Sequence, residues 1–190
     1  AVDFLMWVVT GISTGLTQGF SIQLSQYYGA KDFENLRKSL AHSYRLTAFI
    51  AAGVLILSQS FASLVLTGLH TPSNIIGMSL LYLRIIFCGI PATAAYNMFA
   101  SALRAMGNSK TPLTAMIIAS VLNVSLDILF VAGFGWGVAG AAIATVIAQS
   151  FSAVYCFLIL RRIDIVHLTR ADFMPASGMN ARLMKLGIPV

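Results

Sequence analysis

Charge is scarce in this sequence. Six acidic and twelve basic residues are spread over 190 positions, and 58% of the chain is hydrophobic. An ordinary soluble domain carries about 25% charged residues, so the composition argues against a water-soluble fold. Cysteine is scarcer still. Cys88 and Cys156 both lie inside apolar runs without CxxC spacing, which leaves no disulfide scaffold and no redox or zinc motif; both read as packing residues. His42, His70 and His167 fall at helix margins and in loops without ligand spacing, so neither a metal centre nor any other cofactor is expected. The basic residues form no continuous stripe, which removes nucleic acid as a partner despite the net charge of +6.

What the chain has instead is long apolar runs, with a mean hydropathy of +0.84. A hydrocarbon layer of ~30 Å takes ~20 apolar residues in a helix. Runs over 4–26, 46–66, 75–103, 113–133 and 138–160 are long enough. Barrel strands would show alternating segments of ~10 residues. The pattern therefore predicts an all-α membrane protein, a polytopic bundle of about five transmembrane helices. Its partners are the lipid bilayer and its expected location is the cell (inner or plasma) membrane.

Lysine and arginine set the orientation. Lys31, Arg37, Lys38 and Arg45 lie between the first and second runs, Arg104 and Lys110 between the third and fourth. Arg161, Arg162, Arg170, Arg182 and Lys185 follow the fifth. Residues Thr67 to Asn74 and Gly133 to Gly137 hold none. The basic segments are assigned to the cytoplasm. Ala1 then falls outside with no signal peptide to carry it there, and Leu186 to Val190 read as an apolar entry to a further segment. A preceding helix and a following segment are expected. Arg84 is the one basic residue off the cytoplasmic face; it either snorkels to the outer interface or sits inside the bundle.

Local signals place the joints. Gly11, Gly15 and Gly19 form a small-residue ridge in the first run, beside a polar stripe of Thr10, Thr14, Gln18, Ser21 and Ser25. That stripe is either interhelical hydrogen bonding or the lining of a wet cavity. Gly29 is expected to end the first helix, with Asp32 capping an amphipathic turn that follows. Thr71-Pro72 and Thr111-Pro112 are expected to start the third and fourth helices. Pro91 should bend the third, which from Pro72 to Ala105 would be ~51 Å long at 1.5 Å per residue.

Asp127 is the only acid well inside a spanning run. A carboxyl at mid-membrane costs roughly 2.5 to 3.5 kcal/mol on insertion scales, which makes it a functional-site candidate by default. Asn123 lies four residues earlier on the same helical face. A hairpin turn centred near residue 136 would place Thr145 level with Asp127, and Gln149 level with Asn123. Gly137, Gly140, Ala141, Ala144 and Ala148 would let the two backbones approach closely. Carboxylate, amide carbonyl and hydroxyl form a hard-oxygen set suited to a proton or a small cation such as Na+. The alternative reading is a hydrogen-bond cluster that holds the two helices together. No second intramembrane carboxylate or nucleophile–base pair accompanies Asp127, so no enzyme is expected.

Four stretches then resemble the multidrug and toxic compound extrusion (MATE) family of antiporters: Ser25-Gln26-Tyr27-Tyr28-Gly29-Ala30-Lys31-Asp32, Ala102 to Pro112, Asn123-Val124-Ser125-Leu126-Asp127, and Gly137 to Thr145. The resemblance implies that the five runs are helices two to six of the family's twelve, a partial six-helix lobe. On that reading residues 1–166 are a partial N-terminal transmembrane lobe, and 167–190 are a cytoplasmic linker and the start of a truncated second lobe. It further implies cation or proton coupling at Asn123, Asp127 and Thr145; Thr14 and Gln18 of the polar stripe and Gln149 beside Asn123 are candidates for secondary polar lining. Na+ or H+ would be the coupling ion for efflux of small organic, often cationic, compounds. An additional acid on the family's first helix belongs to that site, so the remaining helices of a full-length transporter would be required partners. The family often has Pro after this Asp; Ile128 implies a straighter helix. The alternatives are a lipid-linked oligosaccharide flippase of the same superfamily, disfavoured because only Arg84 could supply a basic cavity, and a structural membrane module.

Overall fold

The computed structural model describes residues 19–68, 75–168 and 172. Among them the regular structure is entirely helical: α1 (19–29), α2 (Phe33–Gly68), α3 (Ile76–Cys88), α4 (Ile90–Ala105), α5 (Lys110–Asp127) and α6 (Gly137–Arg161). Four stretches are long and apolar enough to cross a membrane: Phe33–Leu64, Ile76–Ala105, Lys110–Gly133 and Gly137–Arg161. Most of the first apolar run, with Gly11, Gly15, Thr10, Thr14 and Gln18, lies outside the described residues. So do Thr71-Pro72 and residues 173–190.

Backbone hydrogen bonding shows how each joint is made. Helix α1 ends at Gly29, and the turn that closes it is completed by Lys31, which adopts φ 57°. The Lys31 N–H donates to Tyr28 O at 3.1 Å and the Asp32 N–H to Tyr27 O at 3.0 Å, a Schellman closure with a lysine in the left-handed position that glycine usually fills. The helix thus stops at Gly29 as expected, while the left-handed closing position falls two residues later. Asp32 does cap the next helix: its Oδ1 accepts the Asn35 N–H at 3.2 Å and its Oδ2 accepts Asn35 Nδ2 at 2.7 Å. The Asn35 side-chain bond, then the backbone bond, hold the Asp32 carboxyl below the usual carboxylate range.

The joint between α4 and α5 repeats the device with its usual residue. Gly107 has φ 83°, its N–H donates to Arg104 O at 3.0 Å, and the Asn108 N–H donates to Leu103 O at 2.9 Å. Asn108 then caps α5, its Oδ1 accepting the Thr111 N–H at 3.1 Å. Thr111 is thus already helical, and the capping side chain stands three residues before it.

The third apolar run is broken, not gently bent. Gly89 separates α3 from α4, its N–H donating to Ile86 O at 2.8 Å, and Pro91 occupies the first turn of α4. A proline crowds the turn before it, so the discontinuity falls on its N-terminal side. A Cβ at Gly89 would lie 2.9 Å from Val146 Cγ2 of α6; the break is also a close helix contact. One core cluster joins Leu24, Leu36, Leu40, Met98, Leu103 and Leu160 at the end that holds the basic joints. A second, around Leu66, Leu83 and Phe87, ties α2 to α3. Arg84 is exposed on α3, on the outside of the described bundle.

Candidate cation site on the α5–α6 hairpin

Helix α5 changes character at Asp127. Residues Ile128–Gly133 continue it as a π-helix, and the Phe134 N–H donates to Leu129 O at 2.9 Å across five residues. Ile128, where the resemblance implied a straighter helix, thus opens a π-helical turn. π-turns cost hydrogen-bond geometry and recur at functional sites; this one begins immediately after the intramembrane acid. Phe130 stacks on Trp136 at 5.1 Å and on Phe134 at 6.0 Å, and Gly135, at φ 68°, reverses the chain. Where Gly140 faces this cluster, a Cβ would stand 3.0 Å from Phe130 Cβ and 3.1 Å from Trp136 Cβ. Glycine here is what brings α6 against the aromatic turn. Gly140, Ala144 and Ala148 are buried along that contact.

The Asn123 Nδ2 donates to Thr145 Oγ1 at 3.4 Å, and Thr145 Oγ1 donates to Ala141 O at 3.0 Å. With Nδ2 engaged, the Asn123 amide keeps its carbonyl oxygen as an acceptor. Asp127 lies one turn further along the same face. Its Oδ1 is buried and has no hydrogen-bond partner among the described residues. The depth pairing thus differs from the one expected. Thr145 stands level with Asn123, because the chain reverses within Phe134–Trp136 and the hairpin centres near residue 134. Moving the centre by two residues moves each partner by four, about one turn. Gln149 is half-buried and makes no hydrogen bond to Asn123 among the described residues. Thr14 and Gln18 lie outside the described residues.

A buried carboxylate oxygen left unpaired is costly, and proteins keep such a group where a proton or cation completes it. The nearby amide oxygen has the same hard character. Nothing in the sequence signalled the π-turn, whose only trace is Gly133 and Gly135 closing an otherwise regular apolar run. Equally unforeseen are the buried hydroxyls of Ser39, Ser43 and Thr47 on one face of α2, without a hydrogen-bond partner among the described residues and legible only as a four-residue spacing inside an amphipathic segment.

A sequence model of the MatE family matches residues 1–129, which include Asn123 and Asp127. The chain belongs to the MatE family. A probable multidrug resistance protein of Bacillus subtilis strain 168, YoeA, is 32% identical over 97% of this chain and 42% of its own length. A multidrug export protein of Staphylococcus aureus, MepA, is 23% identical over 96% of this chain. The chain spans about two fifths of the length of these MatE relatives. Among solved structures, an inward-facing MATE multidrug transporter superposes with a TM-score of 0.91 at 23% identity, covering 98% of this chain and 43% of that one. An outward-facing form of such a transporter gives 0.89 at 24% identity over 98% and 42%. These likenesses establish that the MatE chain has the fold of a MATE lobe.

Proposed function

We propose that this chain forms the N-terminal lobe, residues 1–166, of a cation-coupled antiporter in the cell membrane that exports small organic, often cationic, compounds by alternating access, with 167–190 leading into a second lobe. The observation that carries the reading is the Asp127 carboxylate oxygen, buried without a partner at the α-to-π junction and one turn from the Asn123–Thr145 pair. Na+ or H+ is cargo for such a site. With the carboxylate ionised, Na+ would be held by Asp127 and the Asn123 carbonyl, and a proton would compete for the same oxygen. Occupancy by either neutralises the buried charge and changes which packing of the hairpin is favoured. Linkage makes the effect reciprocal: an ion that weakens substrate binding is itself displaced by substrate.

The lobe resembles both the inward- and outward-facing structures to nearly the same degree. This supports a mechanism in which the lobe moves largely as one body and the ion acts on a local element within it. The relatives named for multidrug resistance and export support the substrate class. Efflux from vesicles containing the intact gene product, driven by imposed Na+ or pH gradients, tests the reading. Asp127→Asn at equal expression should abolish gradient-driven efflux while leaving substrate binding measurable. Undiminished coupled efflux in that variant would overturn the assignment.

A further inference from the structure

On the face of the bundle formed by α2, α4 and α6 lies a cavity of about 440 Å³, within the range of ~300–1,000 Å³ typical of small-ligand sites. Its space comes from short side chains: Ala48 and Ala51 of α2 oppose Ala95 of α4. Ala48 and Ala52 are exposed, so the cavity opens at the side of the described bundle. An aromatic wall closes one end, with Tyr44 edge-on to Phe99 at 5.6 Å and Phe99 tilted on Phe157 at 5.3 Å.

Tyr44 and Phe157 also line a second recess, of about 260 Å³, whose other walls include Arg161 and His167. The two spaces therefore share a neck, apolar on one side and basic on the other. Asp164 Oδ1 lies 3.9 Å from His167 Nε2, which offsets that histidine. Among the described residues no carboxylate pairs with Arg161, which leaves it as the cation at the mouth. Inside the neck, one turn of α2 beyond Tyr44 and ~4.5 Å deeper at 1.5 Å per residue, Thr47 lines the cavity with a buried hydroxyl that has no hydrogen-bond partner among the described residues. An orphaned donor in an apolar site marks a place where an acceptor is missing.

We infer that this site holds an anionic phospholipid of the cytoplasmic leaflet, with an acyl chain in the apolar cavity, its ester carbonyl accepting from Thr47 and its phosphate at Arg161. The order of the groups along α2 and α6 matches that of the lipid: a cation at the mouth for the phosphate, one hydroxyl donor below it for the ester carbonyl, and an apolar cavity beneath for the acyl chain. Charge complementarity selects the headgroup, because Arg161 attracts an anionic group and no carboxylate among the described residues neutralises it. The site is independent of the cation site on the α5–α6 hairpin, which lies on other residues.

The intact protein, purified in mild detergent and exchanged into mixed phosphatidylglycerol–phosphatidylcholine nanodiscs, is then stripped and its retained lipid identified by native mass spectrometry. Wild type should keep one phosphatidylglycerol in preference to phosphatidylcholine by about fivefold, the size expected for one basic side chain near an anionic surface. Arg161→Gln should retain lipid but lose the headgroup preference. Ala48→Phe and, separately, Ala52→Phe should abolish retention; both sit at the open edge, so an unchanged elution profile confirms folding. Wild type without retained lipid, retention indifferent to headgroup, or retention unaffected by both phenylalanines would each overturn the inference. So would displacement of the lipid by ethidium with the same sensitivity to Ala48→Phe, which would make the cavity a drug site.

Discussion

Thr145 uses its hydroxyl twice, donating to Ala141 O and accepting from Asn123 Nδ2. In membranes, contacts of this kind average only ~0.6 kcal/mol, so their loss should hardly touch folding. Their effect belongs to the site, because Asn123 released from Thr145 can turn its amide away from Asp127. Thr145→Val is therefore expected to leave the thermal midpoint within a few degrees of wild type while raising the Na+ concentration, or shifting the pH, needed for half-maximal efflux. Thr145→Ser, which keeps the hydroxyl, should restore the wild-type ion dependence. A valine variant with unchanged ion dependence would show that Thr145 merely packs. The intramembrane acid and its asparagine could be read from the sequence because a charged side chain inside a 20-residue apolar run is conspicuous. That Thr145 faces Asn123, one turn from the expected level, could not, because the count depends on where the chain reverses.

Between elements, two joints are built alike from different residues. Lys31 ends α1 in the conformation that Gly107 adopts after α4, and Asp32 and Asn108 follow as caps. The Gly107-Asn108 pair performs two operations in two residues: glycine supplies the positive φ, and the asparagine side chain satisfies the Thr111 N–H at the start of α5. Removing that side chain leaves an orphan donor at a helix start, a loss of about 1 kcal/mol for typical caps. Asn108→Ala should lower stability by that amount in thermal or denaturant unfolding, and Asn108→Asp should recover most of it because the carboxylate accepts the same bond. The caps were legible in the sequence as residue types; their exact registers were not. Asp32 caps and Gly29 ends its helix as expected, whereas Lys31 takes the left-handed position and Thr111 is itself capped. Local propensity favours glycine in the left-handed closing position, but Lys31 takes it, where Leu24 packs with Leu36 and Leu40. The π-turn at Ile128–Gly133 is a similar case, an element whose extra backbone width is set by Phe130, Trp136 and Gly140 meeting across the hairpin.

The whole bundle has one strongly basic end. Arg37, Lys38, Arg104, Lys110 and Arg161 belong to the joints and helix ends around the first core cluster, while the Phe134–Trp136 turn at the opposite end of the hairpin is aromatic and carries no charge. Arg37 Nε lies 3.9 Å from Asp172 Oδ1, so the segment after α6 returns to this basic end. Orientation follows from the charge asymmetry. With Cys88 replaced by serine, Ser109→Cys should react with a membrane-impermeant maleimide only after the cells are opened, and Val138→Cys should react in intact cells. The reverse pattern would invert the topology and, with it, the leaflet from which the α2–α4–α6 cavity draws lipid.

The sequence by itself determined that the chain is helical and membrane-spanning, which end is basic, which family it belongs to and that Asp127 is its outstanding acid. These follow from hydropathy, charge and short motifs, all of which act locally or through the one-dimensional constraint that a bilayer imposes. Only the tertiary structure decided the break at Gly89, the π-turn, the pairing of Asn123 with Thr145 and the cavity beside Tyr44. Each of these depends on how side chains from helices far apart in sequence share a fixed volume, and that sharing leaves no periodic signal in any one of them.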